Sequence, residues 1–388
     1  MTVRPIQPSD YDAINDLHRR VGWPERSLAG WRWLAENPAR RDIDAPEGWV
    51  SVDGGDRPVA VVGNFVQRFR HAGRTLHGAT GFSIIVPPER KGASRGLIRA
   101  FLKQPDLFAR YTLNANALSA PIYGLFGLKP WPPTTHALKL SWIVDPTACL
   151  RSRIWRALLS GVPAEAAHRI GERVMNARLD AGTPLRLPPG VAALSDLSDD
   201  SAYAGFWRRL SAEDRIVADR SPAVMRWRLS DPDQIRRPLL LARTRAGRID
   251  GIALAVLAKA NILDAPSLEI IDLTVLQDAD DAVPELMKAL IANARALGAA
   301  RVRLPTVSPR VLAQLGPFAD SARREGGWGH CHVVFAEDAP DAALWSPTPF
   351  DGDYSICLRP APRPSRRATR KASAVATSTA SVGRLSKA

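Results

Sequence analysis

The chain has 388 residues, a formal net charge of +14, 45% hydrophobic and 24% charged residues, the make-up of a globular protein long enough for two ordinary domains. No apolar run approaches the roughly 20 residues that span a bilayer, and the polar start MTVRPIQPSDYDAINDL has no secretory core. Three widely spaced cysteines, Cys149, Cys331 and Cys357, suit a reducing cytoplasm better than a disulfide framework.

From the N-terminus, RPIQPSDYDAINDLHRR reads as a short strand, a Ser9-Asp10 cap and a helix with Ile14 and Leu17 inward. A tryptophan-rich segment, GWRWLAENP, precedes a hairpin of GWVSV and PVAVVGNFVQRF around DGGDR. A second hairpin turns through HAGRT into LHGATGFSIIV, where two prolines end the strand. Next, ERKGASRG sets Gly92, Ala93, Ser94 and Gly96 among Arg90, Lys91 and Arg95, before an apolar helix reaching about Lys103. Small residues at a helix start let backbone amides approach an anion, and nearby cations suit a phosphate. The same turn also serves as a plain strand-to-helix connection. A strand at LFARYTLNA, a helix from Leu118 to Phe126 and a strand HALKLSWIV close a first unit near Asp145.

Two stretches of this unit, E-R-K-G-A-S and N-A-L-S-A-P-I-Y-G-L-F-G-L, together resemble the cofactor motifs of the GNAT superfamily of acyl-CoA-dependent N-acyltransferases. Asn116, Tyr123 and Gly127 keep the family spacing, with Ser119 for the usual Ala and Leu128 for the usual Phe. At the turn, Glu89 stands where Arg or Gln is usual and Ser94 takes the second small position. The resemblance covers residues 1 to about 145. It implies an α/β fold, a mixed sheet flanked by helices, with acetyl-CoA or another acyl-CoA between splayed parallel strands ending at Val86 and about Asn114. It further implies that backbone at Ser83, Ile84, Ile85 and Val86 bonds the pantetheine and polarises the thioester. Residues Arg90 to Gly96 would receive the pyrophosphate, Asn116 and Ser119 would sit against the pantetheine arm, and Tyr123 would protonate the leaving thiolate. A carboxylate base is common in the family, but LHGATGFSIIV carries none; His77, Thr80 and Ser83 are its side-chain candidates. His77 titrates in a useful range, although a lone strand histidine is commonly structural.

Residues 150–182 have helical spacing and lead to a second half that repeats the first in outline. RWRLSDP echoes WRWLAENP, PLLLARTRAGRIDGIALAVL echoes the first hairpin, and SLEIIDLTVLQ echoes TLHGATGFSIIV. The recurring tryptophans Trp31, Trp33 and Trp227 read as packing residues. The equivalent turn, VLQDADDAVPELM, has no glycine and places Asp278, Asp280 and Asp281 where a pyrophosphate needs positive charge, so this copy is expected to bind no CoA. His330 and His332 share a strand face without a third ligand, and no metal is expected.

Near the end stands LWSPTPFDGDYSICL, similar to a Trp-x-x-Thr-x-x-Asp-Gly-Asp stretch in some tandem GNAT proteins of polysaccharide or envelope synthesis. That likeness implies a small-molecule or saccharide-type amine acceptor, an amino sugar for instance, with tryptophan faces suited to sugar rings. Asp351 or Asp353 would supply the missing base if the two halves face each other; Asp-Gly is equally a favoured turn. Residues 359–388 hold eight Lys or Arg and no acid, which leaves about +6 on the rest. Poor in large apolar residues, this tail reads as disordered and suited to polyanions, without the ordered basic face of a specific nucleic-acid binder.

The expected organisation is a GNAT-like acyl-CoA-binding domain at 1–145, a helical linker at 146–190, a degenerate GNAT-like domain at 191–358 and a basic tail at 359–388. The expected activity is cytoplasmic transfer of an acyl group from acyl-CoA to an amine, with transfer to a hydroxyl open. The rival is a non-catalytic scaffold that keeps the fold.

Overall fold

The computed structural model describes residues 2–175, 184–234, 237–259 and 261–358. The basic tail and the end of the expected 150–182 helix lie outside the described residues. The first half runs β1 (Thr2–Pro5), α1 (Tyr11–Arg20), α2 (Leu28–Ala35), α3 (Pro38–Asp42), β2 (Gly48–Val52), β3 (Pro58–His71) and β4 (Arg74–Ile85). It continues with α4 (Ala93–Leu102), β5 (Ala109–Thr112), α5 (Ala120–Leu125), β6 (Lys129–Pro130) and β7 (Leu138–Ile143). Two helices follow, α6 (Pro146–Leu158) and α7 (Ala164–Met175). The second half begins β8 (Val191–Ala193), α8 (Ala202–Leu210), β9 (Val217–Ala218), α9 (Pro222–Arg228), β10 (Leu239–Arg245), β11 (Arg248–Ala258) and β12 (Ser267–Val275). It ends α10 (Ala282–Ala294), β13 (Arg301–Leu304), α11 (Pro309–Gln314), α12 (Pro317–Ser321), β14 (Arg323–Gly326) and β15 (His332–Phe335).

Local chemistry accounts for the punctuation. The turn between β3 and β4 sets Ala72 at φ 47° and Gly73 at φ 75°, the left-handed pair that a two-residue hairpin needs. Ser27 and Ser221 cap α2 and α9 by accepting the amides of Gly30 and Val224. The indole of Trp33 on α2 stacks on that of Trp227 on α9 at 4.6 Å, and each ring N–H donates to the other's backbone carbonyl at 2.9 and 3.3 Å. Trp33 and Trp227 therefore join the halves to one another, while Trp31 stacks on Tyr11 within the first half.

Two mixed sheets flanked by helices form the body. The first has the order β1-β2-β3-β4-β5-β15-β6, the second β14-β7-β13-β12-β11-β10-β8. In each, an antiparallel run leads to a parallel pair joined through a helix: β4 with β5 across α4, and β12 with β13 across α10. The strand beyond each parallel pair comes from the other half. β15 pairs antiparallel with β5, and β7 pairs antiparallel with β13. HALKLSWIV, expected to close the first unit, thus belongs to the second sheet. Its alternating apolar residues, Leu138, Leu140 and Trp142, pack into the large core that the two sheets share.

Candidate active site

Pairing between β4 and β5 runs from Gly78–Ala109 to Thr80–Tyr111 and stops. β4 continues to Ile85 beside β3, while β5 ends at Thr112, so a wedge opens between the parallel strands. Inside it β4 bulges. Its register with β3 jumps from Phe82–Gly63 to Ile85–Val61, leaving Ser83 and Ile84 without a ladder partner on β3, and Ser83 takes φ 48°. A bulge of this kind turns backbone groups away from the neighbouring strand.

After β4 the chain enters α4, which packs on β2 and β3. Gly92 is its N-cap at φ 100°, a left-handed conformation that favours glycine, and a Cβ there would meet open space. Arg90 is half-buried, whereas Lys91 and Arg95 are exposed. Glu89, the acid at the position usual for a cation, is ion-paired with Arg20 of α1, which holds its carboxyl below the ordinary range. Its charge is therefore spent on α1.

After β5 the chain enters α5, which packs against β15. Asn116 Oδ1 accepts the amides of Leu118 and Ser119 at 2.9 and 2.8 Å, and Ser119 Oγ accepts the Asn116 amide at 3.0 Å. These two residues cap the turn into α5 and so set the height of Tyr123 one turn on. Tyr123 is buried, stacked on His332 at 6.3 Å and hydrogen-bonded to Thr112.

Residues 349–357 then cross the first sheet. Tyr111 donates its hydroxyl to the Asp351 carbonyl at 2.6 Å, with the Gln67 amide on the same oxygen. Arg228 lies between the rings of Phe65 and Phe350, 4.5 and 4.3 Å from their centroids, and donates to Gln67 at 2.7 Å and to Ser355. Ile356 packs with Phe82 and Ile85 of β4. This strapping brings Asp353 to the end of β5. Its Oδ2 accepts the Cys357 thiol at 3.4 Å and Asn114 also bonds the carboxyl, while Oδ1 is buried with no hydrogen-bond partner. The Cys357 thiol also reaches the Ser83 side chain at the bulge. Burial pushes the Asp353 carboxyl up to about 6, against the pull of these hydrogen bonds and of Lys139. Burial, with the Asp353 charge added, pushes the Tyr123 phenol well above its ordinary range.

The remaining expected residues lie elsewhere. Asp351 is two residues from Asp353, but its carboxylate is occupied by Arg220 at 3.3 Å, the Trp345 indole at 3.1 Å and the Thr348 amide at 3.1 Å. It is a clamp, not an available base. His77 bonds Asp42 at 3.0 Å beside Arg68, six residues up β4 from the bulge or about 20 Å along the strand. That distance removes it from the wedge. Trp345 is buried among Phe69, Phe108 and Tyr111, so no face is open to a sugar ring. In the second half, one of the acids before α10 is paired: Asp281 meets Arg243 at 2.5 Å, while Asp280 accepts the uncharged Gln314 amide at 2.7 Å. The matching end of β12 is filled by Arg220, bound to Asp272 at 2.6 Å and to Thr348 at 3.0 Å. Among the described residues no three His, Cys, Asp or Glu side chains group to hold a metal.

Sequence reading missed Thr112, Asn114, Cys357 and Lys139. Only Lys139 left a signal, as a cation inside the apolar strand HALKLSWIV; it is buried, bonds the Tyr354 hydroxyl at 2.9 Å and lies 5.3 Å from the centre of the Trp328 ring.

No family model and no curated protein matches the chain. Solved structures do. The N-myristoyltransferase of Saccharomyces cerevisiae with bound myristoyl-CoA and inhibitors superposes with a TM-score of 0.51 at 9% identity, covering 92% of this chain and 86% of that one. A GCN5-related N-acetyltransferase from Anabaena variabilis gives 0.50 at 12% identity, over 86% of this chain and 72% of that one. A probable N-acyltransferase of unknown function from Enterococcus faecalis gives 0.50 at 10% identity, over 87% and 73%. The chain shares the fold of these N-acyltransferases. Within that fold, the wedge between β4 and β5 is the feature on which Ser83, Tyr123 and Asp353 converge.

Proposed function

We propose that the chain moves an acyl group from an acyl-CoA to an amine, with the wedge between β4 and β5 as its active site. The observation that carries this reading is the meeting of three groups from distant parts of the sequence: the β4 bulge at Ser83, the Tyr123 phenol and the Asp353 carboxyl. Backbone amides at the bulge polarise the thioester carbonyl, and the start of α4 with Arg90, Lys91 and Arg95 takes the pyrophosphate. The amine nitrogen attacks the thioester carbon, a C–N bond forms and the C–S bond breaks. Asp353 removes the proton from the attacking nitrogen, and Tyr123, kept protonated by its burial, donates one to the departing thiolate. A carboxyl near 6 is ionised at neutral pH yet basic enough for this step. The reading commits to an amine and no further, because the aromatic face that favoured a sugar is buried with Trp345.

The test is calorimetric titration of acetyl-CoA and CoA into the full chain and into a Gly92→Asp, Ser94→Asp double variant. Binding of one cofactor per chain, abolished in the variant by repulsion between carboxylates and pyrophosphate, supports the reading. Absence of binding to the parent chain overturns it and favours the scaffold.

A further inference from the structure

We infer that α6 is an interfacial helix that seats the protein on an anionic lipid surface, a role separate from acyl transfer. Its amphipathicity is inverted. Apart from Trp155, the face turned into the protein carries small or polar groups: Ser152 is buried, donating to the Leu263 carbonyl at 3.0 Å and accepting the Ala265 amide at 3.2 Å. Ala148, Cys149 and Trp155 pack beside it on Ala265 and Ala300. The outer face carries the long aliphatics, Leu150, Ile154 and Leu158, which are 59%, 50% and 66% exposed. At 100° per residue they form a single stripe along the helix. Soluble proteins scatter exposed aliphatics; a line of them along an entire helix marks a contact surface.

Charge selects the occupant. α6 contains Arg151, Arg153 and Arg156 and no acid. Arg156 ties back to Asp264 at 3.3 Å, while Arg153 is exposed beside the stripe. A second copy packed isologously would bring together two faces that each offer cations from α6 and no acid. The tail, with eight cations and no acid, would be repelled by this face as well. A lipid surface rich in anionic headgroups takes both components, aliphatic side chains below the headgroups and guanidinium groups among the phosphates.

The experiment is flotation of the full chain with vesicles of phosphatidylcholine alone or with about one-third phosphatidylglycerol. It compares the parent with a Leu150→Ser, Ile154→Ser, Leu158→Ser triple variant, and with Ile154→Asp alone as a milder change at a solvent-facing site. The expected result is parent binding to anionic vesicles only, weakened at least about tenfold in both variants while circular dichroism and CoA binding stay unchanged. If the variants float as well as the parent, the tail alone holds the membrane and the inference fails. It also fails if the parent does not bind anionic vesicles, or if the parent is a dimer that the triple variant dissociates, since the stripe is then an interface between copies. Loss of CoA binding in the parent would overturn the acyltransferase reading and leave this one standing.

Discussion

Replacing Asp353 by Asn is expected to stabilise the fold while abolishing turnover. The carboxyl goes from an ordinary 3.8 to about 6 in the folded chain, because burial disfavours its charged form more than Asn114, Cys357 and Lys139 favour it. At about 1.4 kcal/mol per pH unit, this corresponds to about 3 kcal/mol. The direction follows from the raised value: the folded state holds the proton more tightly than the unfolded chain. Stability is therefore fully present below about pH 4, falls as the pH rises towards about 6, and stays lower above that. An Asn side chain is neutral throughout and keeps a carbonyl oxygen for the Cys357 thiol. Urea denaturation should show the variant more stable than the parent by up to about 3 kcal/mol at pH about 7.5, with the gap closing near pH about 4. Thiol release from acetyl-CoA in the presence of an amine should fall by about a hundredfold or more, and the parent's rise in rate through pH about 6 should vanish. A variant less stable than the parent at neutral pH, or one that keeps its turnover, would sink the assignment of Asp353 as a buried, poised base.

Tyr123→Phe keeps the ring stacked on His332 and removes the proton donor, so kcat should fall about a hundredfold at unchanged KM for acyl-CoA, measured by steady-state kinetics. His77→Ala, far along β4 in a partly exposed network with Asp42, should leave kcat and KM at parent values in the same assay. Arg220→Met strands Asp272 and Asp351 as buried unpaired carboxylates, and denaturant unfolding should register a loss of about 3–5 kcal/mol.

The parts of the fold written in short-range chemistry were legible in the sequence. The hairpin at HAGRT needs left-handed residues, and the start of α4 needs a glycine at φ 100°; both signals lie within a few residues of what they specify. The strand exchange was not legible. β7 and β15 read as ordinary strands, and nothing in HALKLSWIV or GHCHVVF says which sheet will accept them, because partner choice depends on edges formed far away in sequence. The site divides in the same way. Tyr123 and the glycine turn belong to compact motifs, whereas the separate fates of Asp351 and Asp353 depend on Arg220, Trp345, Asn114 and Cys357, which meet them only in three dimensions. A pair of carboxylates two residues apart looks symmetrical in sequence; burial beside a guanidinium makes one a clamp, and burial beside a phenol and a thiol leaves the other with a free oxygen.

The crossed strands also set a timetable for synthesis. β5 leaves the ribosome early but does not find its antiparallel neighbour until β15 emerges near the far end of the chain, and β7 must wait for β13. Until then the first sheet presents a bare edge next to the wedge, the kind of edge that recruits stray strands. Residues 349–357, which follow β15 in the chain, deliver Asp353. A chain cut short before β15 would therefore lack the proposed base along with the strand that covers the bare edge, so the edge and the chemistry are completed together.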